Sequence, residues 1–409
     1  MNRFFKVKTL EQVMGLVDRF PAPGTETVPV SDCCRRILAQ RVTAGEDIPG
    51  FRRSTMDGYA VAAGSTYGAS EANPAWLSMA GAIAMGDVPD FVLEPGQAAK
   101  ISTGGMLPGG ADAVAMVEHA EMVGSDALEV YKSVAPMQHV VEKGEDFSKG
   151  QELLTPGTVI RPQEAGLAAA LGYSTLTVYQ RPRIGILSTG DEVVPVNETP
   201  APGRIRDINT YTLAGLVREA GAEPVLYGIV QDNEESLFAA VEKGIAETEM
   251  LLISGGSSVG ARDFTVDVFS SLDRTELLVH GISISPGKPT ILANSMGKPV
   301  WGLPGHVVSA MVVFRIAVLP FLKKIQGCRD VMESTIRIPA VLTRNIASAQ
   351  GRRDFVRVRL FKQENRTLAE PVLGKSGLIR TMVHADGLLE ITENLEGMEK
   401  DDPVEIILI

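Results

Sequence analysis

Between residues 184 and 322 short apolar runs alternate with helix-length segments, and this alternation restricts the fold more than any other feature of the chain. Residues 184–188, 225–230, 250–254, 289–293 and 299–302 read as strands, and 235–246, 263–272 and 307–322 as helices. Such alternation is satisfied by a mostly parallel sheet with helices on both faces. In a sheet of that kind, ligands bind in the crevice at the carboxyl ends of the strands.

The flanking regions have a different character, which makes the whole an α/β multidomain chain. Residues 1–45 read as two helices. The first carries Leu10, Val13, Met14 and Val17 at helical spacing behind Thr9 and Gln12, which have capping-box spacing. The second runs through 36–39. Residues 46–149 are rich in Gly and Pro, with short β-type runs at 98–101, 113–117 and 139–142, and read as a β-rich insertion. A helix returns around 161–172, with Pro162 near its first turn and Gly172 past its end. Beyond Cys328, strands at 337–342, 355–360 and 404–409 form a small β-domain. The expected division is therefore 1–45 with 150–180 as a discontinuous helical and sheet domain, 46–149, 181–328 and 329–409.

Composition narrows the partners. A net charge of −11 disfavours nucleic acid, whose backbone is bound by clustered Lys and Arg. A small anion needs only a locally basic or amide-rich site. Three cysteines, two of them adjacent, argue against a disulfide framework, and no His/Cys cluster has zinc spacing. The N-terminus lacks a continuous apolar core and no run of about 18 apolar residues occurs, so neither a signal peptide nor a membrane span is expected, and the cytoplasm is the expected compartment.

The candidate site residues cluster at the ends of the strands. Ser254, Gly255, Gly256, Ser257, Ser258, Val259 and Gly260 join a buried strand to a helix. Glycines there can turn backbone N–H groups toward a phosphate, although a tight turn explains them equally well. Glu192, Asp207, Asp232 and Asp263 follow separate strands. Carboxylates beside a phosphate loop suit Mg²⁺, a hard ion that takes one or two carboxylates plus ligand phosphate. Taken singly, Asp232 with Glu235 also reads as a capping box and Asp263 as an N-cap. Ser285-Pro286-Gly287-Lys288-Pro289-Thr290 is a stiff loop carrying one cation, suited to an oxyanion or merely solvated. Gly302-Leu303-Pro304-Gly305-His306 precedes a long helix, where His306 reads as a packing or capping residue. Arg352 and Arg353 open a strand of the last domain, facing an anion or decorating a turn.

Taken together, these segments resemble the MoeA family of molybdopterin molybdenumtransferases, which includes the E domain of gephyrin. The matching stretches run in order: RRSTMDGYAV (52–61), ISTGGMLPGGADAV (101–114), KGEDF (143–147), GILSTGDEVV (185–194), RIRDIN (204–209), ISGGSSVGARDFT (253–265), SPGKPT (285–290), GLPGHVVSA (302–310), GRRDFV (351–356) and ADGLLEI (385–391). The resemblance implies a helical and sheet domain broken by the β insertion, a central molybdopterin-binding α/β domain and a C-terminal β-barrel. It implies a Mg²⁺-dependent reaction in which adenylated molybdopterin and molybdate give molybdenum cofactor and AMP. It further implies an elongated homodimer, with the site between the α/β domain of one subunit and the insertion and barrel of the other, and the molybdopterin adenylyltransferase as a candidate partner. Carried over by position, the family's functional residues fall on Asp57, Thr103, Asp146, Glu192, Asp232 and Asp263, with Glu192, Asp232 and Asp263 as metal ligands. Its loop residues fall on Gly255, Gly256, Lys288 and Pro304, its barrel arginine on Arg352 or Arg353 and its barrel serine on Ser376, and Ser254, Ser257, Gly260 and Ser285 of the same loops are expected to bind substrate beside them.

Two departures stand out. Many members carry Lys where this chain has Ser285, and Asn-Pro where it has His306-Val307. The first leaves more of the anion binding to Lys288 and the barrel arginines, and the second adds a titratable group. Competing readings are the preceding adenylation step, which the long insertion, the barrel and the SGGSSVG loop disfavour; a non-catalytic molybdopterin scaffold, which would not need the acids; and a tungstate-inserting paralogue.

Overall fold

The computed structural model describes residues 7–255, 264–331 and 336–409. Two compact units are resolved within it: Arg41–Thr155 with Leu167–Tyr173, and the remainder of the chain.

The smaller unit is the insertion. Its two ends are joined where Val42–Thr43 pairs antiparallel with Glu152–Leu154. Its main sheet has six strands, in the order Ala113–Met116, Gly58–Val61, Gln97–Ile101, Ala75–Ile83, Ala127–Val130 and Ala120–Val123. The sheet is covered on both faces, which explains why its central strands read as continuous apolar runs rather than alternating ones. Tyr59 and Val61 point into one cluster while Ala60, between them, points into another. Ala113 and Ala115 are divided from Val114 in the same way.

In the larger unit the doubly wound sheet takes the order Glu223–Val230, Arg183–Thr189, Met250–Ser254, Lys298–Leu303, Ile291–Ser295 and Thr275–His280. The first four strands are parallel, and Ile291–Ser295 pairs antiparallel with both Lys298–Leu303 and Thr275–His280, so the mostly parallel sheet holds with one strand reversed. Side chains alternate between two cores. Ile184, Ile186 and Leu252 meet Leu213, Val217 and Val313 on one face. Leu187, Leu251 and Ile253 meet Leu237, Val241, Ile245 and Phe269 on the other. The helix Asn209–Glu219 supplies the first face and Glu234–Glu247 the second. The long helix after His306 runs from Val307 to Ile325 through a π-helical stretch at Phe314–Val318. Its Phe321 packs edge-on against the fully buried Trp301, with centroids 5.1 Å apart.

Five strands close the C-terminal barrel: Arg353–Gln363, Arg366–Pro371, Arg337–Leu342, Pro403–Leu408 and Gly387–Ile391, the last pairing back onto the first. Ile284–Ser285 adds parallel to Arg353 and Asp354, so a loop of the α/β domain is stitched into the barrel.

The N-terminal expectation needs correction. The first helix exists with its Thr9–Gln12 capping box, but it stops after Leu10–Met14 at the Gly15 cap. The second helix does not form. Ile37 and Leu38 instead make antiparallel bridges to Val159 and Val178, and Thr25–Pro29 pairs with Thr175–Tyr179. Burying Leu38 completely against these strands outweighs a weak helical pattern. All three cysteines are free thiols, and burial pushes the Cys328 thiol up to about 11.

Candidate functional site

The strand order places the topological switch point between Arg183–Thr189 and Met250–Ser254, because the chain leaves the first of these in one direction along the sheet and returns on its other side. The crevice at the carboxyl ends of these two strands is the expected ligand site. Three strand-end loops converge there. Gly255 has φ +104°, and a Cβ on it would fall 2.1 Å from the Thr189 carbonyl oxygen. Only glycine allows that approach. A Cβ on Gly305 would lie 3.8 Å from the Gly255 Cα. Asn209 ties these loops together: its Nδ2 donates to Ser254 Oγ (2.5 Å) and to the Gly305 carbonyl (2.8 Å). Its Oδ1 is buried with no hydrogen-bond partner among the described residues. Beneath it, Asp207 accepts from Ser188 Oγ and from the Thr210 N–H at the start of the following helix, both at 3.1 Å.

Two of the three acids read as metal ligands flank this crevice. Asp232 Oδ1 accepts from Thr189 Oγ1 at 3.1 Å. The capping box expected of Asp232 is not made: Asn233 is the N-cap, accepting from the Ser236 N–H at 2.9 Å. The exposed Glu192 carboxylate lies beside Gly190, where a Cβ would meet its Oε2 at 2.9 Å. Gly256, Ser257, Gly260 and Asp263 lie outside the described residues. Among those described, no group of three or more His, Cys, Asp or Glu could hold a metal. Two hard carboxylates on neighbouring loops nevertheless fit Mg²⁺, which takes one or two such ligands and leaves the remaining positions to water and phosphate.

A second feature is a cavity of about 550 Å³ between the α/β loops and the barrel. Ser285, Lys288, Pro304 and His306 line it from the α/β domain, and Gln350, Arg352 and Ser376 from the barrel. Lys288 and Arg352 contribute positive charge, and among the described residues no carboxylate lines the cavity. In a chain of net charge −11 this is a local reversal of sign, suited to a small anion. The Lys288 loop is folded by its own backbone. The Ile282 and Thr290 N–H groups both donate to the Lys288 carbonyl at 2.9 Å, which leaves the side chain exposed. Gly287, at φ +118°, passes so close to the long helix that a Cβ would strike Val313 at 2.4 Å. Ser283 clamps the loop to the barrel: its hydroxyl donates to the Gly351 carbonyl at 2.6 Å, and its carbonyl accepts from the Arg353 N–H at 3.0 Å.

The two barrel arginines separate. Arg353 is directed away from the cavity into a cluster with Glu11, Glu390 and Glu393, and its side chain is only 17% exposed. Arg352 lines the cavity, is 47% exposed, and pairs with Asp354 at 2.9 Å. The resemblance placed the barrel and the α/β loops of one site on different subunits. Here Arg352, Ser376 and Lys288 of a single chain share one cavity, because Ile284–Ser285 pairs with the barrel strand beside Arg352.

The insertion residues form their own constellation in the smaller unit. The Thr103 N–H donates to Asp57 Oδ1 at 2.7 Å. Ser54 holds the two loops together, its carbonyl accepting from the Gly104 N–H (2.8 Å) and its N–H donating to the Gly105 carbonyl (3.0 Å). Asp57, Thr103 and Asp146 are all exposed. The Asn209 bridge and the contact between Ser376 and His306 were not foreseen. Each joins positions distant in sequence, 45 and 70 residues apart respectively, and neither leaves a local signal.

Comparison with known proteins covers almost the whole chain. Residues 7–172 match the MoeA N-terminal region (domain I and II), 185–324 a probable molybdopterin binding domain, and 339–409 the MoeA C-terminal region (domain IV). A putative molybdopterin biosynthesis protein of Methanocaldococcus jannaschii is 37% identical, over 93% of this chain and 92% of its own length. A molybdopterin molybdenumtransferase of Bacillus subtilis is 32% identical, over 98% and 94%. Among solved structures, a molybdopterin biosynthesis MoeA protein from Pyrococcus horikoshii superposes with a TM-score of 0.85 at 31% identity, covering 99% of this chain and 100% of that one.

Proposed function

The chain belongs to the MoeA family of molybdopterin molybdenumtransferases, and from that premise we propose that it transfers molybdenum from molybdate to adenylated molybdopterin, releasing AMP. A transferase role in molybdenum-cofactor biosynthesis follows from the family itself. The observation that carries the finer reading is the pairing of two sites in one unit: a switch-point crevice suited to a phosphorylated pterin, and a cavity whose charged lining, among the described residues, is cationic.

In this reading the crevice built by Ser254, Gly255 and Asn209 seats the molybdopterin, with Gly256, Ser257 and Gly260 completing the loop. The adenylate phosphate lies toward Glu192 and Asp232, the residues that would hold Mg²⁺ together with Asp263. When bound, Mg²⁺ would offset the charge of the phosphate oxygens. Lys288 and Arg352 hold the oxyanion by charge, while Ser376 and Ser285 offer hydroxyls to it. Pro304 keeps the floor of the cavity stiff, and Arg353 is a structural residue of the barrel. Asp57, Thr103 and Asp146 act on the ligand held by a second copy of the chain, which makes the working enzyme a homodimer. The molybdopterin adenylyltransferase, which makes the adenylated substrate, is the partner this reading implies.

The test is to incubate the protein with adenylated molybdopterin, Mg²⁺ and either molybdate or tungstate, and to follow AMP and cofactor together. AMP release that depends on the oxyanion and yields cofactor is the expected result. Release without cofactor, or none, overturns the reading. The tungstate arm decides the anion, since the two share charge and shape.

A further inference from the structure

We propose that His306 is a positioning residue which, acting through Ser376, couples oxyanion binding in the cavity to its own protonation. The inference rests on the reading of that cavity as the oxyanion site.

His306 Nδ1 and Ser376 Oγ are 3.0 Å apart, and both residues line the cavity. Backbone bonds hold them there. The Val308 N–H, two residues beyond the histidine, donates to the Ser376 carbonyl at 3.1 Å. The Cδ2–Nε2 edge of the ring lies against Gly377, where a Cβ would stand 3.5 Å from Cδ2.

A serine hydroxyl has one proton to give. When Nδ1 is bare, it takes that proton, and Ser376 shows only lone pairs to the cavity, which repel an oxyanion. When Nδ1 carries a proton, the ring donates to Oγ and the Ser376 hydroxyl turns its own proton toward the anion. An oxyanion therefore selects the ring protonated at Nδ1. The imidazolium form adds a positive charge to Lys288 and Arg352 in the same space. The neutral ring with its proton on Nδ1 reorients the hydroxyl without adding charge, so the pH-dependent part of the effect belongs to the imidazolium. Among the described residues the other charged groups facing the cavity are Lys288 and Arg352, the latter paired with Asp354, and no described carboxylate lines it to hold the imidazolium in the anion's absence. By linkage, whatever the proton does for the anion the anion does for the proton.

The probe is molybdate alone, titrated by calorimetry into the full-length protein at about pH 6 and about pH 8, on either side of the ordinary histidine value. A tenfold preference of the anion for the imidazolium form should appear in wild-type protein as binding about sixfold tighter at the lower pH. In His306→Asn the ratio should fall to about one; Asn caps helices well, so the helix start is retained and an unchanged thermal midpoint confirms folding. As a second measurement, the His306 ring resonances should titrate about one pH unit higher when molybdate saturates the protein, the same tenfold effect seen from the proton's side. Wild-type protein that binds no molybdate at either pH overturns the reading of the cavity, and the inference with it. Binding whose pH profile is the same in wild type and His306→Asn overturns the inference alone.

Discussion

Arg352 and Arg353 are chemically identical and adjacent, yet the barrel gives them different work. Arg353 neutralises Glu11, Glu390 and Glu393 from a largely buried position, whereas Arg352 stands at the cavity wall. Arg353→Ala removes the cation from Glu11 and Glu393, while Glu390 keeps Arg337 at 2.9 Å, and should lower stability by about 1–3 kcal/mol, with molybdate affinity of the folded protein retained. Arg352→Ala should do the reverse, weakening molybdate binding about tenfold or more while the thermal midpoint moves little. Chemical denaturation and calorimetry on both variants check the pair. Equal loss of affinity in the two would return Arg353 to the site. Nothing in the dipeptide distinguishes its two members, and only strand register and side-chain burial do.

Among the elements, the strand-end turns are the most tightly specified. Gly255→Ala places a methyl within 2.1 Å of the Thr189 carbonyl and forces a side chain into φ +104°. The loop must shift, so pterin binding should be lost while the sheet below still folds, at a cost of about 1–3 kcal/mol. Fluorescence titration with molybdopterin and a circular-dichroism melt separate the two effects, and unimpaired binding would contradict the crevice. A second element shows its dependence on pH. Glu164, in the first turn of Pro162–Ala170, accepts from the Arg161 guanidinium and from the Arg161 N–H at 2.9 Å. The Arg161 guanidinium holds the Glu164 carboxyl below its ordinary range, with the backbone N–H adding to it. A depressed carboxyl contributes stability that is present above the ordinary glutamate value and lost as pH falls through the lowered one. Glu164→Gln should therefore be less stable than wild type near neutrality, and the gap should close on acidification. Thermal midpoints taken from about pH 7 down to about pH 3 test this, and a gap that widens toward acid would refute it.

At the scale of the whole molecule, the number of chains that make one site becomes a testable quantity. A single chain brings Lys288, Arg352 and Ser376 around the anion cavity, so the barrel need not come from a partner. If the insertion residues serve a second copy, Asp57→Asn and Lys288→Ala should each abolish AMP release alone, yet recover about a quarter of wild-type activity when mixed and allowed to exchange subunits, because half the dimers would be mixed and hold one intact site each. No recovery, with exchange confirmed by native mass spectrometry, would place both residues in the site of one chain.

What the sequence determined by itself was whatever is written in local periodicity. The apolar runs of the α/β domain and the barrel strands were legible because each element buries its own face and repeats at its own spacing. Met250–Ser254 and Arg337–Leu342 fall where the pattern alone put them. The stretch at 36–39 did not, since a short apolar pair carries no period and its partners at Val159 and Val178 lie more than a hundred residues away. The tertiary structure alone decided which groups share a space: Asn209 with Ser254 and Gly305, Asp232 with Thr189 rather than with a helix cap, and His306 with Ser376. Such pairings are set by where closed sheets bring distant loops, and a linear pattern holds no record of a distance between residues that only folding brings together.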